Sequence, residues 1–370
     1  MPKSAYIHIP FCKKKCEYCS FVSYETLTLK NIYIDALGTE IKKRYEGEKL
    51  KTLYFGGGTP SILSVGDFEH ILKHFNYDSE TEVTVEINPN DAKKEYLIGL
   101  HNLGINRLSI GIQVFDDDLL QKIGRRHTSK EAQNAVEYAK NAGFNNISID
   151  LIYGLPNQTL ENYKNSLMRA IALEIPHISL YGLKIEEGCS FYNNRPRFLP
   201  DDEAQADMFL LSKELLEQNG FMHYEISNFA QKGFESKHNL NYWENAEYYG
   251  FGVAAHGYQN GHRYENNVNI NKYINSPETP NLSTKLTESE KLEEEIFLGF
   301  RKLKGINVQE INSKFNIDFE KKYFSILNKY LELKHIEKTH VGYRLTQNGI
   351  LLSNNFLSEF IEDKEVEYAI

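Results

Sequence analysis

Three cysteines near the N-terminus carry the clearest chemical signal in this 370-residue sequence. Cys12, Cys16 and Cys19 have C-x3-C-x2-C spacing, and the only other cysteine, Cys189, is distant along the chain. A cubic [4Fe–4S] cluster that is held entirely by protein takes four cysteine thiolates. Three thiolates on one loop would bind three irons and leave the fourth iron for a ligand that is not cysteine. This is the arrangement needed to bind and reductively cleave S-adenosylmethionine (SAM), although the spacing does not predict whether SAM is cleaved or only bound.

Two other roles of these cysteines remain possible from their residue types alone. A structural zinc ion would take a fourth ligand beside the three cysteines, such as His8 or Cys189. Cys16 and Cys19 alone have the spacing of a C-x2-C redox pair. Zinc sites usually show paired C-x2-C units, however, and thioredoxin-type motifs lack a third thiol. The spacing favours the iron–sulfur cluster.

The composition is that of an ordinary globular protein, with 41% hydrophobic and 25% charged residues. A net charge of −9 argues against a nucleic-acid-binding protein that relies on bulk positive charge. No apolar run approaches the roughly 20 residues of a membrane-spanning helix, and no signal-peptide core precedes the cysteines. Four cysteines in a chain of this length are not a disulfide framework. We therefore expect a cytoplasmic protein that has no nucleic-acid partner.

Short apolar runs alternate with amphipathic stretches over residues 1–219, which predicts the βα units of a parallel sheet. A closed barrel of eight units usually takes about 250 residues, so we predict an α/β fold with an incomplete (β/α)6 barrel here. The predicted strands are Tyr6–Ile9, Thr52–Phe55, Val83–Ile87, Arg107–Gly111, Ile147–Leu151 and His177–Tyr181. The predicted helices are Leu29–Arg44, Val65–Phe75, Asp91–Asn102, Lys130–Ala142, Leu160–Leu173 and Asp201–Gln218.

The pattern changes after this region. Residues 220–280 form an extension that is rich in Asn, Tyr and His and lacks strong periodicity, and Asn281–Thr284 is predicted to be a polar linker. Residues 281–370 are predicted to form a small winged-helix-like domain, whose first helix has a capping box of Thr287 and Glu290. The elements predicted for it are helices Glu288–Lys302, Val308–Phe315, Phe319–Leu333 and Thr346–Glu359, with a hairpin of His335–Lys338 and Gly342–Leu345.

The residues best suited to chemistry follow the predicted strands, where parallel α/β folds collect their binding sites. The cysteine loop follows the first strand, and Gly56–Pro60 follows the second. Carboxylates suit the amino group and ribose hydroxyls of SAM, and a guanidinium suits its carboxylate. A strand-end carboxylate is often only a helix cap, so each residue is ordinary when taken singly. Those at the other strand ends are Glu86, Gln113, Arg125, Asp150, Tyr181 and Lys184.

A second group of residues, His238–Trp243, contains the only tryptophan of the chain and precedes a run rich in aromatic residues. A histidine with flat aromatic neighbours is able to ligate and sandwich a haem. A buried aromatic cluster is the alternative, because structural histidines are common. Both interpretations stay open.

Together these motifs resemble the radical SAM superfamily and, within it, the oxygen-independent coproporphyrinogen III oxidase family. The matching segments are Tyr6–Cys12, the cysteine spacing, Gly56–Pro60, Glu86–Pro89, Ser109–Gln113, Asp150–Pro156 and His238–Trp243. The resemblance covers essentially the whole chain. It implies that the three cysteines ligate the cluster and that His238 is a ligand or contact of haem. The SAM-site residues that it implies are Tyr6, Tyr18, Gly57, Gly58, Thr59, Glu86, Gln113, Arg125 and Asp150.

That family has an oxidase branch, which decarboxylates two propionates of a porphyrinogen, and a HemW-type branch of haem chaperones. The oxidase branch has a further cysteine two positions beyond the third cluster cysteine, where this chain has Phe21. It also has an N-terminal arm before the first strand, which begins here at Tyr6. Ser20, where the chaperones often have Asp, is a minor departure. The resemblance therefore predicts a haem chaperone without coproporphyrinogen dehydrogenase activity.

The cofactors that this branch implies are the [4Fe–4S] cluster, SAM and haem. Its implied partners are haem-accepting proteins, including proteins at the membrane. Haem binding is expected to weaken in His238→Ala. The sequence predicts neither the electron donor nor the oligomeric state.

Overall fold

The computed structural model describes residues 1–361, which fall into two compact units. The first unit comprises Met1–His223, Ser227–His238 and Glu247–Thr284. The second comprises Tyr224–Ile226, Asn239–Ala246 and the chain from Lys285. Residues 220–280 thus contribute to both units, and the segment His238–Trp243 is divided between them.

The first unit is built from βα units in a parallel sheet whose first six strands lie side by side in chain order. The strands are β1 (Ser4–Ile9), β2 (Thr52–Gly57), β3 (Glu82–Ile87), β4 (Arg107–Gln113), β5 (Asn146–Tyr153) and β6 (His177–Gly182). The helices are α1 (Lys30–Arg44), α2 (Val65–Leu72), α3 (Lys94–Asn102), α4 (Asp117–Lys122), α5 (Ser129–Asn141), α6 (Leu160–Ile171), α7 (Ser190–Asn193) and α8 (Asp202–Gln218). The predicted incomplete (β/α)6 fold is confirmed.

Local sequence explains where several of these helices begin. α2, α5 and α6 each start with a capping box, in which a Ser or Thr hydroxyl and a side chain three residues later satisfy the exposed backbone N–H groups. Pro60 and Pro89 open short 3-10 turns after β2 and β3, where a missing N–H costs little. These turns bring the chain back from the sheet toward its helix layer.

Short strands from the extension lengthen the sheet at both edges, which the sequence analysis did not predict. They are β7 (Met222–Glu225), β8 (Asn228–Ala230) and β9 (Tyr249–Phe251). β9 pairs in parallel with β1, and β8 pairs antiparallel with β6. Strands of three or four residues are too short to show a clear period of two, so the sequence gives no signal for them.

The strands β2 to β6 are covered on both faces, and the two faces differ in chemistry. Apolar residues such as Leu53 and Val85 pack in the core beneath the helices. The alternate residues on the same strands are polar, yet they are buried or half-buried. These inward residues are Thr52, Tyr54, Thr84, Glu86, Arg107, Ser109, Ser148, Asp150, His177 and Ser179. The inner face of the sheet is therefore a polar interior.

Four further elements of the extension are α9 (Lys237–Trp243), β10 (His256–Gln259), β11 (His262–Glu265) and α10 (Ile270–Asn275). The segment predicted to be a linker, Asn281–Thr284, is largely in a strand, because β12 (Leu282–Lys285) joins β10 and β11 in a small sheet. All residues of β12 are exposed, and an exposed polar strand has the composition of a linker.

The second unit has the predicted winged-helix-like character, with a small antiparallel sheet packed among short helices. Its first helix, α11 (Glu288–Arg301), begins at the capping box predicted for Thr287 and Glu290. The predicted helices Phe319–Leu333 and Thr346–Glu359 are each broken in two. The remaining elements are β13 (Ile306–Asn307), α12 (Val308–Phe315), α13 (Phe319–Lys322), α14 (Phe324–Glu332), β14 (Ile336–Lys338), β15 (Gly342–Leu345), α15 (Gln347–Leu351) and α16 (Ser353–Leu357). Within residues 1–361, no helix is long and apolar enough to cross a membrane.

A buried carboxylate on α1 ties this helix to the extension. Glu40 accepts hydrogen bonds from Gly252 N at 2.8 Å, Asn266 Nδ2 at 2.7 Å, Tyr273 Oη at 2.6 Å and Arg44 Nη1 at 2.6 Å. Burial raises the pKa of Glu40, and Arg44 and these donors oppose that rise. The carboxylate thus has a full set of partners in the interior.

We expect Glu40→Ala to lower the free energy of unfolding by about 3–5 kcal/mol, because removing one partner of a buried ion pair leaves the other charge unpaired. Urea denaturation of the two proteins measures the difference. Glu69→Ala, at an exposed position of α2, is the matched control and should change stability by no more than about 0.5 kcal/mol. Equal stability of the two variants would contradict the role of the Glu40 network.

Candidate cluster and SAM site

The cysteine loop follows β1, and backbone hydrogen bonds fix its path. Cys12 N donates to Tyr24 O at 3.0 Å, and Glu17 N donates to Ile123 O at 3.2 Å. Glu17 O in turn accepts from Phe191 N at 2.9 Å. The loop is therefore tied to segments that follow three different strands, and its side chains have a defined direction.

All three loop cysteines are free thiols, and two of them lie beside a hydrogen-bond donor. Thr59 Oγ1 lies 3.4 Å from Cys12 Sγ, and Arg125 Nη1 lies 3.6 Å from Cys16 Sγ. The thiolate is the form of cysteine that binds metal, and burial raises the pKa of the Cys19 thiol. The loop thus presents two of its three sulfur atoms to groups that donate hydrogen bonds to sulfur.

Most of the predicted site residues line one cavity of about 380 Å³ at the carboxyl ends of the strands. Tyr6 and His238 are the exceptions. The predicted residues in its lining are Cys12, Cys16, Cys19, Tyr18, Gly57, Gly58, Thr59, Glu86, Gln113, Arg125 and Asp150. Phe21, Tyr181 and Lys184 also lie at this cavity.

The glycines after β2 allow close contact with the cysteine loop. A Cβ on Gly58 would lie 2.8 Å from the carbonyl oxygens of Ile9 and Phe11. Gly57 has φ = +108°, and a Cβ there would lie 2.5 Å from the His8 ring. No other residue type fits these two positions without displacing the neighbouring chain. In this chain the glycines bring the end of β2 against the loop.

Glu86 is held by one hydrogen bond to each carboxylate oxygen. Tyr54 Oη donates to Oε1 at 2.9 Å, and Gly57 N donates to Oε2 at 3.3 Å. Burial, together with the nearby charge of Asp150, raises the pKa of Glu86 from 4.5 to about 7. A cationic partner in the cavity would stabilise the ionised form.

Asp150 lies two strands away from Glu86 on the same inner face. Its Oδ1 accepts from Ser109 Oγ at 3.1 Å. Burial raises the pKa of Asp150, while bonds from Ser109 and Ser179 act in the opposite direction. The cavity therefore has two separate carboxyl groups, one held by residues of β2 and one held by Ser109 of β4.

A bulge at the end of β4 directs Gln113 toward the cavity. The strand register shifts between Gly111 and Gln113, and Gln113 has φ = +71°, which is rare for a residue other than glycine. Arg125 Nη2 donates to Gly111 O at 2.5 Å, while Arg125 Nε is buried without a hydrogen-bond partner among the described residues. Bulges and strained backbone of this kind often aim side chains at ligands.

This donor set fits a [4Fe–4S] cluster and SAM. No three His, Cys, Asp or Glu side chains among residues 1–361 converge on a point that one metal ion could occupy. Three cysteines that share one cavity on a loop with C-x3-C-x2-C spacing suit the separate iron corners of a cubic cluster. The unpartnered Nε of Arg125 and the two carboxyl groups match the charges of an amino acid sulfonium ligand.

Tyr6, which was predicted to line the SAM site, lies behind the cavity wall. Its ring stacks on Tyr54, with centroids 6.2 Å apart, and its hydroxyl lies 3.0 Å from His8 Nδ1. His8, one of the possible zinc ligands, is also bonded through Nε2 to Val22 O at 2.9 Å. Cys189, the other, packs in an apolar cluster and is 1% exposed.

His238 does not line the cavity and is anchored near the amino ends of the strands, although its ring contacts Tyr54, which does line the cavity. Its Nδ1 is 2.8 Å from Thr52 Oγ1, and Thr52 is the first residue of β2. Its ring stacks on Tyr54, and only 1% of the residue is exposed. An axial ligand must present a ring nitrogen to iron on the face of a large planar macrocycle. These surroundings do not fit haem ligation by His238.

The sequence analysis missed Tyr54 and Ser109, which hold the two carboxyl groups. Both lie on the inner face at alternate positions with other polar residues, Tyr54 after Thr52 and Ser109 after Arg107. Strict alternation of polar and apolar residues usually indicates a strand with one solvated face. Its repetition on five strands, each followed by a helix, was the available signal for a polar interior.

Comparison with known proteins agrees with this architecture. The chain matches the Radical SAM superfamily over residues 6–170 and the HemN C-terminal domain over residues 286–352. The solved structure of coproporphyrinogen III oxidase (HemN) from Escherichia coli superposes with a TM-score of 0.86, covering 97% of this chain and 90% of that chain. Only 22% of residues are identical, so this likeness shows the fold alone.

Several relatives match over 70% or more of their length. The "Heme chaperone HemW" of Lactococcus lactis subsp. lactis (strain IL1403) is 40% identical, with 98% of each chain covered. That of Bacillus subtilis (strain 168) is 39% identical, over 97% of this chain and 99% of the relative. That of Escherichia coli (strain K12) is 37% identical, over 69% of this chain and 70% of the relative.

The parallel βα units, with three cysteines on the loop after the first strand, define a radical SAM protein, a class whose cofactors are a [4Fe–4S] cluster and SAM. Within that class, the full-length matches separate the chain from the oxidase whose fold it shares. The chain belongs to the HemW family.

Proposed function

We propose that this protein is a haem chaperone of the radical SAM type, which binds haem and delivers it to haem proteins. The observation that carries the proposal is the match to heme chaperones over 98% of both chains. The cavity supports its radical SAM part, because the cysteine loop and two carboxyl groups face one space. Phe21 lines this cavity where the oxidase branch is expected to have a further cysteine.

The residues of the cavity have separable roles in this proposal. Cys12, Cys16 and Cys19 hold the cluster, and Arg125 neutralises thiolate charge while its Nε faces the SAM carboxylate. Glu86 accepts a hydrogen bond from the SAM amino group, because it is bonded to Gly57, next to the glycine that contacts the cysteine loop, and Asp150 accepts hydrogen bonds from the ribose hydroxyls. When they are bound, the cluster and SAM supply one-electron and radical chemistry. The protein orients them and excludes water.

The remaining SAM-site residues shape the cavity. Gly57 and Gly58 bring β2 against the loop, and Thr59 donates to the Cys12 thiolate. Tyr18 and Gln113 contribute polar groups to the cavity wall. Tyr6 acts from behind the wall, through its contact with Tyr54.

The acceptors in this proposal are haem proteins, including those of the membrane, and the protein works in the cytoplasm. An iron–sulfur cluster beside an open cavity needs a reducing compartment, which is why we propose that location. Fractionation of cells, with the protein detected in the soluble and membrane fractions before and after haem depletion, tests both points.

The decisive experiment compares haem binding with porphyrinogen turnover. Anaerobically reconstituted protein is titrated with haem and followed by Soret absorbance. The same preparation is incubated with SAM, a strong reductant and coproporphyrinogen III. We expect saturable haem binding, transfer of that haem to a haem-free acceptor cytochrome, and no more protoporphyrin than a Cys16→Ser control forms.

Protoporphyrin above the Cys16→Ser level would identify an enzyme and would show that the inference from Phe21 is wrong. Haem binding that does not saturate, with an intact cluster in the same sample, would overturn the chaperone assignment while leaving the radical SAM assignment in place.

A further inference from the structure

His238 lies at the floor of the polar interior, on the side opposite the cavity. Its backbone N donates to Glu82 Oε1 at 3.1 Å, and Glu82 is the first residue of β3. Its Nδ1 lies 2.8 Å from Thr52 Oγ1 at the start of β2. The residue is therefore anchored to the amino ends of two neighbouring strands, whereas the cavity lies at their carboxyl ends.

A continuous column of side chains joins this floor to the cavity. The His238 ring stacks on Tyr54, with ring centroids 5.0 Å apart and planes inclined by 23°. The Tyr54 hydroxyl then donates to Glu86 Oε1 at 2.9 Å. Glu86 lines the cavity. The three residues span the inner face from one end to the other.

The column matters because a glutamate does not fix its own carboxylate. Its last torsion is broad, so neighbouring donors decide where the two oxygens point. Tyr54 provides one of those donors, and Tyr54 itself is held between two rings, those of His238 and Tyr6. Binding groups need to be held within about 0.5 Å by such supporting contacts.

We propose that His238 is a positioning residue of the SAM site, which holds Tyr54 and through it Glu86, and that it is not the ligand of haem iron. This inference rests on the proposed function in one respect, because SAM must be the ligand of the cavity. It assigns the histidine of the His238–Trp243 segment to the radical SAM site.

Burial and bonding of the imidazole support both halves of the proposal. The residue is 1% exposed, one ring nitrogen lies against the Thr52 hydroxyl, and the ring lies against Tyr54. Burial and the nearby Arg107 charge lower the pKa of His238 to about 3, so the ring is neutral at physiological pH. A neutral ring is compatible with Arg107 in the same interior.

The test measures SAM affinity in cluster-loaded protein by equilibrium binding of radiolabelled SAM. Haem affinity is measured separately on the same proteins. The variants are Tyr54→Phe, which keeps the ring and removes only the hydroxyl, His238→Phe, which keeps a flat ring, and His238→Ala. His256→Ala is the matched control, because His256 is an exposed histidine of the same extension.

We expect the SAM dissociation constant to rise about tenfold in Tyr54→Phe and His238→Ala, which is the size of one lost hydrogen bond to a charged group. The SAM dissociation constant of His238→Phe should lie between those of these two variants and that of the wild type. His256→Ala should bind SAM with the wild-type affinity. The double variant of Tyr54→Phe and His238→Ala should be no weaker than the weaker single variant, because both act through one column. Haem affinity should be unchanged in His238→Ala.

A second readout separates positioning from general loss of structure. The Tyr54 hydroxyl lowers the pKa of Glu86, so its removal should shift the acid side of the pH profile of SAM binding to higher pH. Unchanged SAM affinity in Tyr54→Phe, or haem affinity lost in His238→Ala but kept in Tyr54→Phe, would overturn the inference. Wild-type protein that holds its cluster but does not bind SAM would instead overturn the proposed function, and the inference with it.

Discussion

Replacing Cys12, Cys16 or Cys19 by serine is expected to abolish the iron–sulfur cluster, which is the largest effect that we predict for any single change in this chain. The three thiols face one cavity, and a serine hydroxyl does not provide the thiolate that holds iron in such clusters. Iron and acid-labile sulfide, measured after anaerobic reconstitution, should fall to the background of protein incubated without iron. SAM binding should be lost with them.

Cys189→Ser is the matched control for these variants. Cys189 is buried among apolar side chains and does not line the cavity, so the variant should keep its iron, sulfide and SAM affinity. A full cluster in Cys16→Ser would contradict our assignment of the ligands. Zinc in place of iron in the wild type would contradict the cluster itself and favour a structural metal site.

The six parallel strands could be predicted from the sequence because each is a short segment with apolar residues at alternate or successive positions, placed between amphipathic stretches. The predicted strand at Thr52–Phe55 and the observed strand at Thr52–Gly57, for example, differ only at one end. The bounds differ because the last residues of β2 are glycines, which sequence patterns assign to a turn. Here they continue the strand, and their lack of a side chain is used for contact with the cysteine loop.

The edges of the sheet could not be predicted in the same way. β9 is three residues long, and its partner strand β1 lies more than two hundred residues earlier in the chain. A pairing of that kind depends on tertiary contacts such as those of Glu40 with Gly252 and Tyr273, which leave no periodic signal. The boundaries at residues 219 and 280 remain predictions.

The candidate site was predictable to the extent that its residues follow strands. Position in the chain places Glu86 and Asp150 at strand ends, and both line the cavity. His238 follows no strand of the parallel series, so the sequence offered only its residue type and its aromatic neighbours. Those features are shared by haem ligands and by buried stacked histidines, and the contacts with Thr52 and Tyr54 favour the second.

SAM affinity is expected to increase as the pH rises through about 7, because Glu86 must be ionised to accept the SAM amino group and burial raises its pKa from 4.5 to about 7. Above about pH 8 the α-amino group of SAM loses its own proton, so affinity should fall again.

The stability of the free protein is expected to change with pH in the opposite direction. A carboxyl whose pKa is higher in the folded state stabilises the fold fully below its unfolded value of 4.5, and this contribution is lost as the pH rises through about 7. The increase in melting temperature caused by SAM should therefore be larger at pH 7.5 than at pH 6.

Glu86→Gln should weaken SAM binding at pH 7.5 by about 10- to 150-fold, the equivalent of a hydrogen bond to a charged group, and should remove the acid side of the pH profile. Asp150→Asn is the matched comparison, because it also removes a buried carboxyl from the cavity. It should weaken binding and keep an acid transition that is shifted to lower pH, because the transition belongs to Glu86 and the Asp150 charge contributes to the raised pKa of Glu86. An acid transition that Asp150→Asn removes and Glu86→Gln keeps would show that Asp150, not Glu86, binds the amino group. A flat pH profile in the wild type would show that neither carboxyl changes its ionisation when SAM binds. Because Glu86 receives its hydrogen bond from Tyr54, the same pH profile also reports on the column that begins at His238.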